Sequence, residues 1–222
     1  MANYQGVIFD LDGTLSDSVP LILASAQYTH QKLGLPWQEA EQRSWIGKPL
    51  YQSAAYYCGD DQEKVERYLQ LFREYGKEHI AEMIRPFPGV MALLQQLQQQ
   101  GVKICIVTSR LRWSAELSCD VLGLWPYLTA LIGVEDTKTH KPEPEPALLA
   151  LAKMDLLPRQ VVFVGDSPVD LACGQAAGTA AIGVAWGVSS KETLLACRPI
   201  AFCNTTAELA AALLGEADSL GA

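Results

Sequence analysis

Short apolar runs rich in β-branched residues recur along the chain, at Gly6 to Phe9, Val102 to Val107, Leu128 to Gly133, Val161 to Val164 and Ala180 to Val184. Each is apolar at consecutive rather than alternate positions, the pattern of a strand covered on both faces. Between these runs the apolar residues fall at helical spacing. Met91 to Gln100 is followed by Gly101, a residue suited to a helix C-terminal cap, and Asp170 to Ala177 by Gly178; Glu145 to Met154 shows the same periodicity. Strand alternating with helix predicts an α/β fold built on a doubly wound parallel sheet.

One stretch departs from the alternation. From Asp17 to Arg85 the pattern is helical, punctuated by Gly34-Leu35-Pro36 and Gly47-Lys48-Pro49, and Pro86-Phe87-Pro88-Gly89 then leads back to the alternating pattern. The expected organisation is a catalytic core formed by residues 1–16 and 86–222, interrupted by a helical cap at 17–85. An insertion after the first strand lies over the carboxyl edge of the sheet, where open α/β folds bind ligands. A lid over that crevice is the functional reading and a structural appendage the alternative.

Composition narrows the partners. The 222 residues carry a formal net charge of −8, and such a surface repels the phosphates of nucleic acid. A small anionic substrate remains compatible if cations gather locally. No basic stretch leads into an apolar run at the N-terminus, so no signal peptide is expected and the expected location is cytoplasmic. No apolar run approaches the roughly 20 residues that span a bilayer. The six cysteines are scattered without a CxxC pair, which suits reduced thiols in the core better than a metal cage.

Chemistry concentrates at the ends of the apolar runs. The first ends in Asp10-Leu11-Asp12-Gly13-Thr14. Carboxylates two apart on a strand face one side, and a hard cation with oxygen ligands would offset their repulsion; a turn that caps the next helix is the alternative. Val161 to Val164 leads into Gly165-Asp166-Ser167-Pro168-Val169-Asp170, where a helix N-cap competes with a second acidic site. Two acidic strand ends on one sheet edge favour the cation. Val107-Thr108-Ser109-Arg110 offers hydroxyls and backbone N–H groups to a phosphate, or simply caps a helix. Lys141 lies beside a rigid run of prolines at the same edge, and His140 reads as a loop residue.

The order DxDGT, TS, KP and GDSxxD, with a helical insertion after the first motif, resembles the haloacid dehalogenase superfamily, and within it the phosphoglycolate phosphatase branch with a helical cap. The resemblance runs over nearly the whole chain and implies a Rossmann-like core and a phosphatase acting on a small phosphorylated metabolite. It implies Asp10 as nucleophile, Asp12 as general acid and base with a raised pKa, and Thr108, Ser109 and Lys141 as phosphate-binding groups. Mg²⁺ is implied at Asp10, the Asp12 carbonyl and Asp166, with Asp170 either reaching it through water or orienting Lys141. Ser16 and Arg110 depart from the branch's usual residues and are expected to stand clear of the chemistry. Selectivity is expected in the cap around Trp45 to Pro49, with Tyr51, Tyr56 and Tyr57 nearby, where Gly47 and Lys48 either meet the substrate's distal end or Lys48 is solvated. A 2-phosphoglycolate-like monoester ranks before inorganic pyrophosphate as substrate, with a sugar phosphate mutase and a non-catalytic sensor as alternatives.

Overall fold

A computed structural model describes residues 3–215, so the ends of the expected core, 1–2 and 216–222, lie outside the described residues. Six parallel strands form one sheet: β1 (Gly6–Phe9), β4 (Lys103–Val107), β5 (Ala130–Ile132), β6 (Val161–Gly165), β7 (Ala180–Val184) and β8 (Ala201–Cys203), in the order β5-β4-β1-β6-β7-β8. This is the expected α/β doubly wound sheet. β1 is central, with Gly6 in register with Lys103 on one side and Val161 on the other.

Period-two alternation sends successive side chains of each strand to opposite faces. Val7 and Phe9 join Ile104, Ile106, Val162 and Val164 on one face, packed by α5 (Val90–Gln99), α6 (Arg112–Leu122) and α10 (Thr206–Leu214). Ile8, Cys105, Val107 and Phe163 join the other, packed by α7 (Glu145–Met154) and α8 (Pro168–Ala176). All six cysteines are free thiols, four of them buried, and burial pushes the Cys105 thiol up to about 12. Among the described residues no helix is long and apolar enough to cross a membrane.

The stretch between β1 and β4 is helical: α1 (Val19–Leu33), α2 (Glu39–Arg43), α3 (Leu50–Cys58) and α4 (Gln62–Met83). Its two ends run side by side as β2 (Ser16–Asp17) and β3 (Arg85–Pro86), an antiparallel pair two residues long on each side. The apolar pattern does not signal this pair, because proximity of the two crossings produces it. Shorter differences occur elsewhere. β5 is confined to Ala130–Ile132, a 3₁₀ turn at Trp125–Tyr127 precedes it, and α9 (Lys191–Ala196) and β8 complete the far edge. Leu94 on α5 is fully buried against the sheet. Leu94→Ala is expected to cost about 3–5 kcal/mol, the range for an uncollapsed leucine cavity, seen as a lower denaturation midpoint at constant m value.

Candidate active site

Three neighbouring strands deliver the site to one edge. Beyond β1, Asp10 extends the ladder through its N–H to Val164 O at 3.0 Å. The chain then turns at Gly13, whose φ of +85° suits glycine and where a Cβ would run into the Asp166 carboxylate. Thr108 directly follows β4, Asp166 directly follows β6, and Lys141 enters from the loop after β5.

Lys141 is the organising charge. Its side chain is 2% exposed and its Nζ donates to Asp10 Oδ1 at 2.6 Å and Asp170 Oδ1 at 2.7 Å, with Val107 O at 3.4 Å. Burial alone would lower its pKa, but the two carboxylates outweigh burial and raise it. Asp170 is held from the other side by the N–H and hydroxyl of Ser167 at 3.1 and 2.6 Å. Asp10 Oδ2 has no hydrogen-bond partner among the described residues, and Asp10 lines the cleft beneath the helical insertion.

The carboxylates of Asp10, Asp166 and Asp170 offer oxygens within 4.8 Å of one another. When all three carboxylates are ionised, one lysine leaves two charges uncompensated, and the donors are all oxygen. The group therefore fits a hard divalent cation. Burial first, then the neighbouring carboxylates, raises the pKa of Asp10 well above the usual range, with Lys141 opposing. The same causes push Asp166 up to about 7, although Val188 N–H at 2.7 Å and Thr14 Oγ1 at 3.1 Å both donate to it.

Asp12 differs from the expectation of a raised pKa. Its carboxylate is not part of the acidic group but turns to Arg110, whose Nε and second terminal nitrogen donate to Oδ2 and Oδ1, each at 2.7 Å. Ser18 Oγ also donates to Oδ1. Burial favours the neutral acid, but the guanidinium charge and these hydrogen bonds outweigh it and lower the pKa, where the carboxylates alone had pointed upward. Arg110 therefore does not stand clear of the site.

Thr108 is buried, lines the cleft and accepts from the Arg110 N–H at 3.2 Å. Ser109 lines the cleft beside Thr108, and its hydroxyl donates to Gly47 O at 2.7 Å and ties the insertion to the core. Gly47, at φ +88°, lies against Ser167. Lys48 extends over the Trp45 ring at 4.8 Å. Tyr51 lines the cleft, whereas Tyr56 and Tyr57 do not; Tyr56 is exposed and donates to Glu41. His140 lies opposite the Tyr51 ring at 6.3 Å. The residues missed in the sequence are Ser18 and the Gly187-Val188 turn. Gly187 stands three residues past β7, where a Cβ would strike Asp166.

The chain belongs to the haloacid dehalogenase-like hydrolase family, whose sequence profile matches residues 7–184. Among its relatives is pyrophosphatase PpaX of Bacillus pumilus, 34% identical over 87% of this chain and 88% of that protein. PpaX of Bacillus velezensis is 32% identical over the same shares. A crystal structure of a predicted phosphoglycolate phosphatase from Haemophilus somnus 129PT superposes with a TM-score of 0.86 at 25% identity, covering 94% of this chain and 97% of that one.

A divalent cation entering the acidic group must displace protons held by Asp10 and Asp166. With Asp166 near 7, affinity is expected to fall as pH drops below that value, by up to about tenfold per unit for each displaced proton. Titration calorimetry from pH 8 to 5.5, in buffers of differing ionisation enthalpy, reads both the affinity and the released proton. Affinity independent of pH across that range contradicts the assignment.

Proposed function

We propose that the protein is a Mg²⁺-dependent phosphatase that moves a phosphoryl group from a small soluble compound to Asp10 and then to water. The observation that carries this reading is the pairing of Asp10, a cleft-lining residue with one oxygen anchored on buried Lys141 and the other without a hydrogen-bond partner among the described residues, with the acidic group beside it. A nucleophile held by one oxygen is aimed by the other.

In the first step the Asp10 oxygen bonds to phosphorus while the bond from phosphorus to the leaving oxygen breaks. A leaving oxygen that needs a proton takes it from Asp12, which must first take one up from solvent because its pairing with Arg110 holds it ionised. In the second, water attacks the aspartyl-phosphate, its proton passes to the Asp12 carboxylate, and the bond to Asp10 breaks, regenerating the free carboxylate. Asp10, Asp166 and the Asp12 carbonyl would hold Mg²⁺, which when bound supplies positive charge for the phosphoryl oxygens. Thr108 offers its hydroxyl and Lys141 its charge to the same group. Residues 17–85 serve as the cap, closed onto the core through Ser109 and Gly47. The enzyme acts on a soluble metabolite in the cytoplasm, with neither nucleic acid nor membrane as partner.

The names of the relatives at 30–34% identity favour inorganic pyrophosphate as substrate, and the fold neighbour's name supports 2-phosphoglycolate as the second choice. The test is phosphate release from a panel containing both compounds, with Mg²⁺ and with chelator. Release from one compound, lost on chelation, is expected; Mg²⁺-independent release sinks the cation's role. Asp10→Asn, nearly equal in volume, is expected to lower turnover by at least about 10⁴-fold, the scale for loss of a catalytic nucleophile, with an unchanged circular dichroism spectrum. Substantial residual turnover excludes Asp10 as nucleophile.

A further inference from the structure

The protein carries a net charge of −8, yet the cleft between cap and core has the opposite character. Apart from Asp10 and Asp12, every charged residue lining it is a cation: Lys48, Arg73 and Lys77 from the cap, Arg110 from the core. Arg73 on α4 is half-buried, and its Nε is buried without a hydrogen-bond partner among the described residues. Arg110 commits three of its five N–H donors, two to Asp12 and one to Ser114 Oγ at 3.2 Å. Its side chain is 16% exposed and opens on the cleft.

We propose that Arg110 is the specificity residue for the leaving half of the substrate: its guanidinium fork exchanges the Asp12 carboxylate for a second anionic group there. This rests on the phosphatase reading above. A planar fork that grips a carboxylate through two 2.7 Å bonds is matched to a phosphate or carboxylate of the same bidentate geometry. The Asp12 pair thus marks where such a group sits, next to the carboxylate that must reach the leaving oxygen. When the substrate's anion takes the fork, the Asp12 carboxyl is released towards that oxygen, and the cap cations face the anion from the other side. The favoured class is a phosphoryl compound with a charged leaving half, such as pyrophosphate or a phosphorylated hydroxy acid, over an ester with an uncharged one.

The experiment compares native enzyme, Arg110→Gln and Arg110→Lys with pyrophosphate, 2-phosphoglycolate and p-nitrophenyl phosphate. The ratio of kcat/KM for the better charged probe to that for p-nitrophenyl phosphate is expected to fall about 10- to 100-fold in Arg110→Gln, the worth of one or two charge-assisted hydrogen bonds. Arg110→Lys, which keeps the charge and loses the fork, is expected to fall between. A ratio that stays fixed overturns the proposal; a ratio that falls while pyrophosphate binding is unchanged reports only the steadying of Asp12, since p-nitrophenolate leaves without a proton, and overturns it as well. A native enzyme without preference for either charged probe does the same. Calorimetric binding of pyrophosphate, independent of turnover, is expected to weaken by about tenfold or more in Arg110→Gln; unchanged binding also overturns it. Failure of the phosphatase reading is distinct: the native enzyme then releases phosphate from no probe, including p-nitrophenyl phosphate.

Discussion

The buried contact between Lys141 and the carboxylates of Asp10 and Asp170 is the constraint on which the rest of the site depends. A lysine with a side chain 2% exposed can stay charged only because two carboxylates lie within 2.7 Å, and those carboxylates can be buried only because it is there. Three chain segments must arrive together for this to hold: the end of β1, the loop after β5 and the first turn of α8. The parallel sheet with β1 at its centre brings them together at one edge. Removing any one leaves uncompensated charge in an apolar setting, so the fold and the site stand or fall together.

Much of this was legible in the sequence, for a physical reason. Central strands covered on both faces must be continuously apolar, so β1, β4, β6 and β7 announce themselves, and polar residues directly after them stand out. Asp10, Thr108, Asp166 and Asp170 could be read that way. The elements that escaped lack this signal. β8 is three residues long at the sheet edge and only partly buried, and the β2–β3 pair follows from closing the insertion onto itself.

The electrostatics were harder to read. Counting carboxylates near Asp12 suggests mutual repulsion and a raised pKa, but Arg110, 98 residues away in sequence, lies directly against it and reverses the sign. Ser18 adds a hydrogen bond whose only sequence signal is a common residue at a helix start. Sequence order says which residues reach the sheet edge, because strand ends are local features. It does not say which partner each one meets, because that depends on turns and on where the cap closes.

The turn at Gly13 resolves a conflict in the first motif. Two carboxylates at i and i+2 on an extended strand would face one point and repel each other, and a single cation would have to serve both. Breaking the strand after Asp10 lets the chain place each against its own cation, Asp10 beneath the cleft on Lys141 and Asp12 within it on Arg110. Their pKa values are driven in opposite directions, Asp10 up by burial among acids and Asp12 down by the guanidinium that outweighs its own burial. In the proposed reaction Asp10 is the group that attacks phosphorus, while Asp12 lies on the cleft wall where a proton would be exchanged. The separation depends on a residue without a Cβ at position 13, where any side chain would displace the Asp166 carboxylate from the acidic group.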